Sequence, residues 1–169
     1  EHSLETEHLI WKGPEDLSAK FWLARKTSGV DARIETTDNV YHNPTASDMT
    51  TGDSVVIGLQ GPAQSGLWRI ALGEVDGKAV ARALEAPDGM SAESIELEAQ
   101  IVTEGTKRTY SVSLSDSALG LSDEAWKKGV RISFLANDND GRGHKGWLEM
   151  HRGFGKAPDP KQFALIAAE

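Results

Sequence analysis

Apolar and polar residues alternate with a period of two along most of this chain, and Gly, Pro, Asp and Asn clusters interrupt the alternation about every ten residues. Residues 29–37 are the clearest case. Val30, Ala32, Ile34 and Thr36 fall on one side, and Asp31, Arg33, Glu35 and Thr37 on the other. That period predicts a half-buried strand. Further strands are predicted over 19–24, 53–60, 66–74, 78–84, 94–103, 107–114 and 129–136, with Asp76-Gly77 as a hairpin turn. A strand over 146–151 would place Trp147, Glu149 and His151 on one face and Leu148 and Met150 on the other. Residues 122–128 (SDEAWKK) carry an N-cap serine, early acids, late lysines and a following Gly129, so one short helix is expected there. About nine strands and one short helix predict an all-β fold, a β-sandwich. No repeat or linker divides it, so a single domain over 1–169 is expected.

Composition narrows the function classes. The 169 residues carry a net charge of −8, which disfavours nucleic acid as a partner, because phosphate binding wants a basic face. No apolar run is long enough for a membrane helix, so no membrane partner is expected. The absence of cysteine excludes thiol catalysis, cysteine zinc sites and disulfides. The five histidines are too scattered for a zinc motif, and no Gly-x-Ser-x-Gly elbow is present.

Unusual chemistry gathers in residues 133–160. Asn137-Asp138-Asn139-Asp140-Gly141 crowds acids and amides into five positions, and neighbouring carboxylates repel unless a cation or a set of donors sits between them. Asp140, Gly143 and Glu149 stand at calcium-loop spacings from Asp138, but Arg142 replaces an expected oxygen ligand and the flanks read as strands, so this is no EF-hand. Two readings remain open: a calcium site using Asp138 and Asp140, or Asx turns that fold the loop on itself. Downstream, Trp147 beside Glu149 on an open sheet face suits a sugar, whose C–H face stacks on an indole; the alternative places Trp147 in the core.

Residues 137–163 (NDNDGRGHKGWLEMHRGFGKAPDPKQF) resemble the closing signature of the family 9 carbohydrate-binding modules. That signature is an Asn-Asp-Asn-Asp-Gly loop, then Gly-Trp-x-Glu, then a Gly-x-Gly-Lys tail leading to Pro and Phe. Residues 12–19, 37–42 and 52–55 resemble the family's N-terminal landmarks in the same order, so the resemblance spans nearly the whole chain. It implies a β-sandwich of jelly-roll type, structural calcium, and two tryptophans enclosing a terminal sugar. It also implies attachment to a secreted polysaccharide-degrading enzyme of bacterial type, with a secreted, cell-surface or periplasmic location. The sequence departs from the family at Thr50 and Met150, where tryptophans are expected, and at Val56, where an acid is expected.

These readings give a non-catalytic carbohydrate-binding module with Trp147, Glu149, Tyr41, Trp68, Arg69 and Asn137 as candidate sugar-binding residues. Asp138, Asp140 and Asp38 are the candidate calcium ligands. The expected partners are a glycan and a neighbouring catalytic domain. The departures at Thr50, Val56 and Met150 leave an alternative, a structural domain that packs on the catalytic domain without binding sugar. A stand-alone hydrolase using Glu149 with Asp140 or Asp53 is the weakest reading, because 26 acids supply such pairs by chance.

Overall fold

A computed structural model describes residues 11–95, 97–154 and 158–167. His2 and His8, Glu96, and the Gly-Lys-Ala of the C-terminal tail at 155–157 lie outside the described residues. The chain forms an all-β sandwich of two antiparallel sheets. The first contains β1 (Leu17–Lys26), β2 (Gly29–Asp38), β6 (Ala99–Glu104) and β7 (Lys107–Ser115) in the order β1-β2-β7-β6. The second contains β3 (Ser54–Gln60), β4 (Trp68–Val75), β5 (Lys78–Glu85), β8 (Val130–Asp138), β9 (Gly146–Glu149) and β10 (Ala164–Ile166). Its order is β10-β8-β3-β4-β5, and β9 pairs with the second half of β8, on the edge whose first half takes β10.

The alternation in the sequence decides what each sheet buries. Val30, Ala32 and Ile34 of β2 face Val55, Ile57 and Leu59 of β3 across the core, with Ile70 and Leu72 of β4 and Ile132 and Phe134 of β8. Phe21 stacks on Phe134 between the sheets, with ring centroids 4.8 Å apart. Removing such side chains from water contributes roughly 1.5–3 kcal/mol each. Among the described residues no helix is long and apolar enough to cross a membrane.

Three features depart from the sequence expectations. A second short helix, α1 (Asp116–Leu119), precedes the expected one, α2 (Asp123–Lys128); Ser115 and Ser122 cap them, each accepting a backbone N–H. The strand expected over 94–103 begins only at Ala99, because Ser91 caps a 3₁₀ turn over Ala92–Ser94. β10, only three residues long, gives too short an alternation to be recognised.

The outer face of the second sheet is covered only in part, and this creates the site. Val56, Ala71 and Leu135 lie under Phe154, Phe163 and Met49 in a smaller apolar cluster. Two glycines allow the covering layer to approach. A Cβ at Gly58 would stand 2.7 Å from Phe163 and 2.9 Å from Phe154, and one at Gly73 would stand 2.6 Å from Pro44. The tail thus lies over one region of the sheet and the 39–53 loop over another.

Candidate functional site

A cleft of about 390 Å³ opens on this outer face. Its apolar lining comes from Val56 of β3, Leu135 of β8 and Phe154 of the tail. Thr50 and Thr51 line it from the 39–53 loop, and Arg69 from β4. Asn137, His144 and Trp147 complete it. Trp147 sits directly across from Asn137 in the β8–β9 ladder, and Glu149 across from Leu135, so the two-residue period puts all four on the cleft's face. Trp147 is 52% exposed. The His144 ring lies beside it, with centroids 5.7 Å apart. Asn137 is fixed at both ends: its Nδ2 donates to Ser54 Oγ at 3.0 Å, and its Oδ1 lies 3.3 Å from His144 Nε2.

The candidates separate into three groups. Trp147, Arg69 and Asn137 converge on the cleft. Glu149 shares their face, but its Oε2 accepts the Phe154 N–H at 3.3 Å, which holds a cleft-lining residue in place. Trp68 and Tyr41 are corrections. Trp68 is 0% exposed and packs between the sheets, donating its indole N–H to the Leu119 carbonyl at 3.1 Å, so no ligand can stack on it. Tyr41 lies away from the cleft. The Arg108 guanidinium lies 4.1 Å from its ring centroid, and its hydroxyl bonds to Thr36 and to the Thr106 carbonyl. The three positions at which the sequence departs from the family also separate: Thr50 and Val56 line the cleft, whereas Met150 packs against the inter-sheet core. His144, Thr51, Leu135 and Phe154 carried no sequence signal of their own.

One end of the sandwich holds a cluster of aspartates. Asp38 ends β2, Asp138 ends β8, and Asp140 follows in the loop; one carboxylate oxygen of each lies within 4.8 Å of the others. Buried Lys145 reaches into the same group, 2.6 Å from Asp16, 3.3 Å from Asp138 and 3.0 Å from Asp140. Against the burial that would raise it, the Lys145 ammonium and the Lys12 N–H hold Asp16 below the ordinary carboxylate value. Burial, then repulsion from Asp138 and Asp140, push Asp38 up to about 6, although it accepts the Val40 N–H. Burial and repulsion from Asp38 and Asp138 push Asp53 up to about 8 even though its carboxylate accepts the His42 and Asn139 N–H groups. Asp53, which the sequence offered only as a chance glycosidase partner for Glu149, thereby ties the 39–53 loop to the 139–145 loop. Asn139 adds a second tie, donating its Nδ2 to the Thr51 carbonyl at 2.5 Å.

Lys145 pairs with three of the five aspartates gathered here, Asp16, Asp138 and Asp140, and four of the five are buried. Asp138 Oδ1 and Asp140 Oδ1 are buried and have no hydrogen-bond partner among the described residues. Unsatisfied carboxylate oxygens are hard donors of the kind that could hold a cation such as calcium. Glu149 stands apart from these three, its carboxylate accepting the Phe154 N–H.

No protein-family model and no curated protein sequence matches the chain. Solved structures do. A family 9 carbohydrate-binding module from Caldicellulosiruptor kristjanssonii, in complex with cellotriose, is similar with a TM-score of 0.66 and 16% identity, over 99% of this chain and 86% of that one. A family 9 module from the same organism in complex with glucose gives 0.65 and 16%, over 100% and 88%. A Bacteroides uniformis protein described as a candidate carbohydrate-binding protein gives 0.68 and 13%, over 94% and 82%. At these identities the likeness speaks for the arrangement of the backbone. The fold of this chain is of the family 9 carbohydrate-binding module type.

Proposed function

We propose that this chain is a non-catalytic carbohydrate-binding module whose site is the cleft beside Trp147. The carrying observation is a half-exposed indole at the wall of a cleft that also presents Arg69 and Asn137. A pyranose ring would lay its C–H face on the indole while its hydroxyls met the guanidinium and the amide. Two neighbours of the same fold were solved with cellotriose and with glucose, which supports a glycan as the ligand. The sequence resemblance supports the setting: attachment to a polysaccharide-degrading enzyme, in a secreted or cell-surface location.

In the same proposal calcium occupies the aspartate cluster, held by Asp38, Asp138 and Asp140. It would neutralise carboxylates that otherwise repel one another. Its role is structural: the loops meeting there carry Thr50, Thr51 and His144 to the cleft. A second reading, a domain that packs on a catalytic partner without binding sugar, is favoured by the single tryptophan among the described lining residues, with Thr50 in the cleft and Met150 turned inward.

Affinity gel electrophoresis against a panel of soluble glycans tests the first reading. Retardation by a defined glycan, weakened at least about tenfold in Trp147→Ala with the fold intact, is the expected result. Mobility unchanged by every glycan would favour the second reading.

A further inference from the structure

The cleft is electrostatically out of character with the chain. The protein carries 26 acidic residues against 18 basic ones, yet among the described residues that line the cleft there is no carboxylate, and there are an arginine and a histidine. Glu149, the acid nearest in the β9 ladder, has its carboxylate turned to the Phe154 N–H.

Arg69 is under-partnered. Its neighbours across the sheet are Gly58, which has no side chain, and Glu85. The Glu85 carboxylate forms a long ion pair with it, 3.8 Å from Nη1 and beyond hydrogen-bonding distance. The Nε–H is buried and has no acceptor among the described residues. An arginine offers five donors in a planar fork that matches a carboxylate bidentately, and a buried donor left without an acceptor costs free energy until a ligand supplies one. On the Trp147 side, His144 turns one ring nitrogen toward Asn137, and its other has no hydrogen-bond partner among the described residues.

We infer that the cleft selects a pyranose bearing an oxyanion, a hexuronate, with its ring on Trp147 and its carboxylate in the fork of Arg69. The inference rests on the carbohydrate reading and sharpens it. Lysine in place of Arg69 would keep the charge and lose the fork.

The test is calorimetric titration of the intact chain at low salt with three trisaccharides: a hexuronate, the same sugar with its carboxyl groups reduced to alcohols, and a sulfated neutral analogue. The uronate is expected to bind at least about tenfold more tightly than its reduced counterpart, as a charge-assisted bond allows. Arg69→Gln is expected to abolish that preference, and Arg69→Lys to keep only part of it. Equal binding of uronate and reduced sugar, or a preference that survives Arg69→Gln, overturns the inference while leaving the carbohydrate reading in place. A sulfated sugar preferred over the uronate overturns the carboxylate assignment, and silence toward all three overturns the inference, while the carbohydrate reading stands or falls on the wider glycan panel. Should Arg69→Gln fail to fold, Glu85→Gln serves instead. Removing the competing acid is expected to strengthen uronate binding and leave the reduced sugar unaffected, and no change would overturn the inference.

Discussion

At the scale of single residues, Lys145 and Gly58 carry more of the site than their type suggests. Lys145 is the cation among Asp16, Asp138 and Asp140. Lys145→Met leaves those acids without it and is expected to destabilise the metal-free protein by about 3–5 kcal/mol, read from denaturant unfolding. A loss below ~1 kcal/mol would mean that the acids are neutralised in another way. Gly58→Val forces a side chain into Phe154 and Phe163 and is expected to cost about 1–3 kcal/mol and to weaken ligand binding, since Phe154 lines the cleft. Unchanged stability would remove the tail from this account. Part of the residue-level geometry was legible in the sequence: Trp147, Asn137 and Arg69 line one cleft, and Asp38, Asp138 and Asp140 share one cluster. Trp68 shows where local reading stops. Trp68 and Arg69 are adjacent in a strand and so point to opposite faces, which means that they cannot line the same cleft. Which of the two faces the core depends on how the sheets stack.

At the scale of elements, β9 and the loops at 39–53 and 139–145 form the site as a unit. Strands with full alternation, such as β2 and β7, were readable because each side chain reports its face. α1 and β10 were not, being only four and three residues long. Asp53 was legible as a strand start but not as the tie between loops, because its partners come from residues far apart in sequence. The proposed calcium gives these loops a measurable pH signature. Asp53 and Asp38, pushed up to about 8 and about 6 from 3.8, take up protons on folding. Their contribution to metal-free stability is present at low pH and declines as pH rises through those values. With chelator, the melting temperature is expected to be higher at pH 5 than at pH 8. With calcium, which needs ionised carboxylates, the gain in melting temperature is expected to be larger at pH 8. Thermal melts in both conditions check this, and a calcium effect that is absent or equal at both pH values would contradict a metal held by these acids.

At the scale of the molecule, the two faces of the second sheet have different roles. The inner face gives stability through Trp68, Ile70, Phe134 and their neighbours, and the outer face leaves a cleft between its two partial coverings. This division explains why the fold was readable and the ligand was not. Alternation specifies a sandwich regardless of what the exposed face binds, whereas specificity depends on a few side chains such as Thr50, Val56 and Arg69 whose convergence appears only once the sheet is assembled. The claim that this cleft receives a sugar is tested most directly by a ¹H–¹⁵N correlation titration of the isotope-labelled chain with the glycan that retards it most on an affinity gel, or with cellotriose if none does. Saturable shifts are expected to concentrate at the Trp147 indole N–H, the Asn137 amide, His144 and Arg69. Shifts that cluster elsewhere, around the exposed Trp22 and its partner Arg33 for example, or no saturable shifts at all, would contradict it.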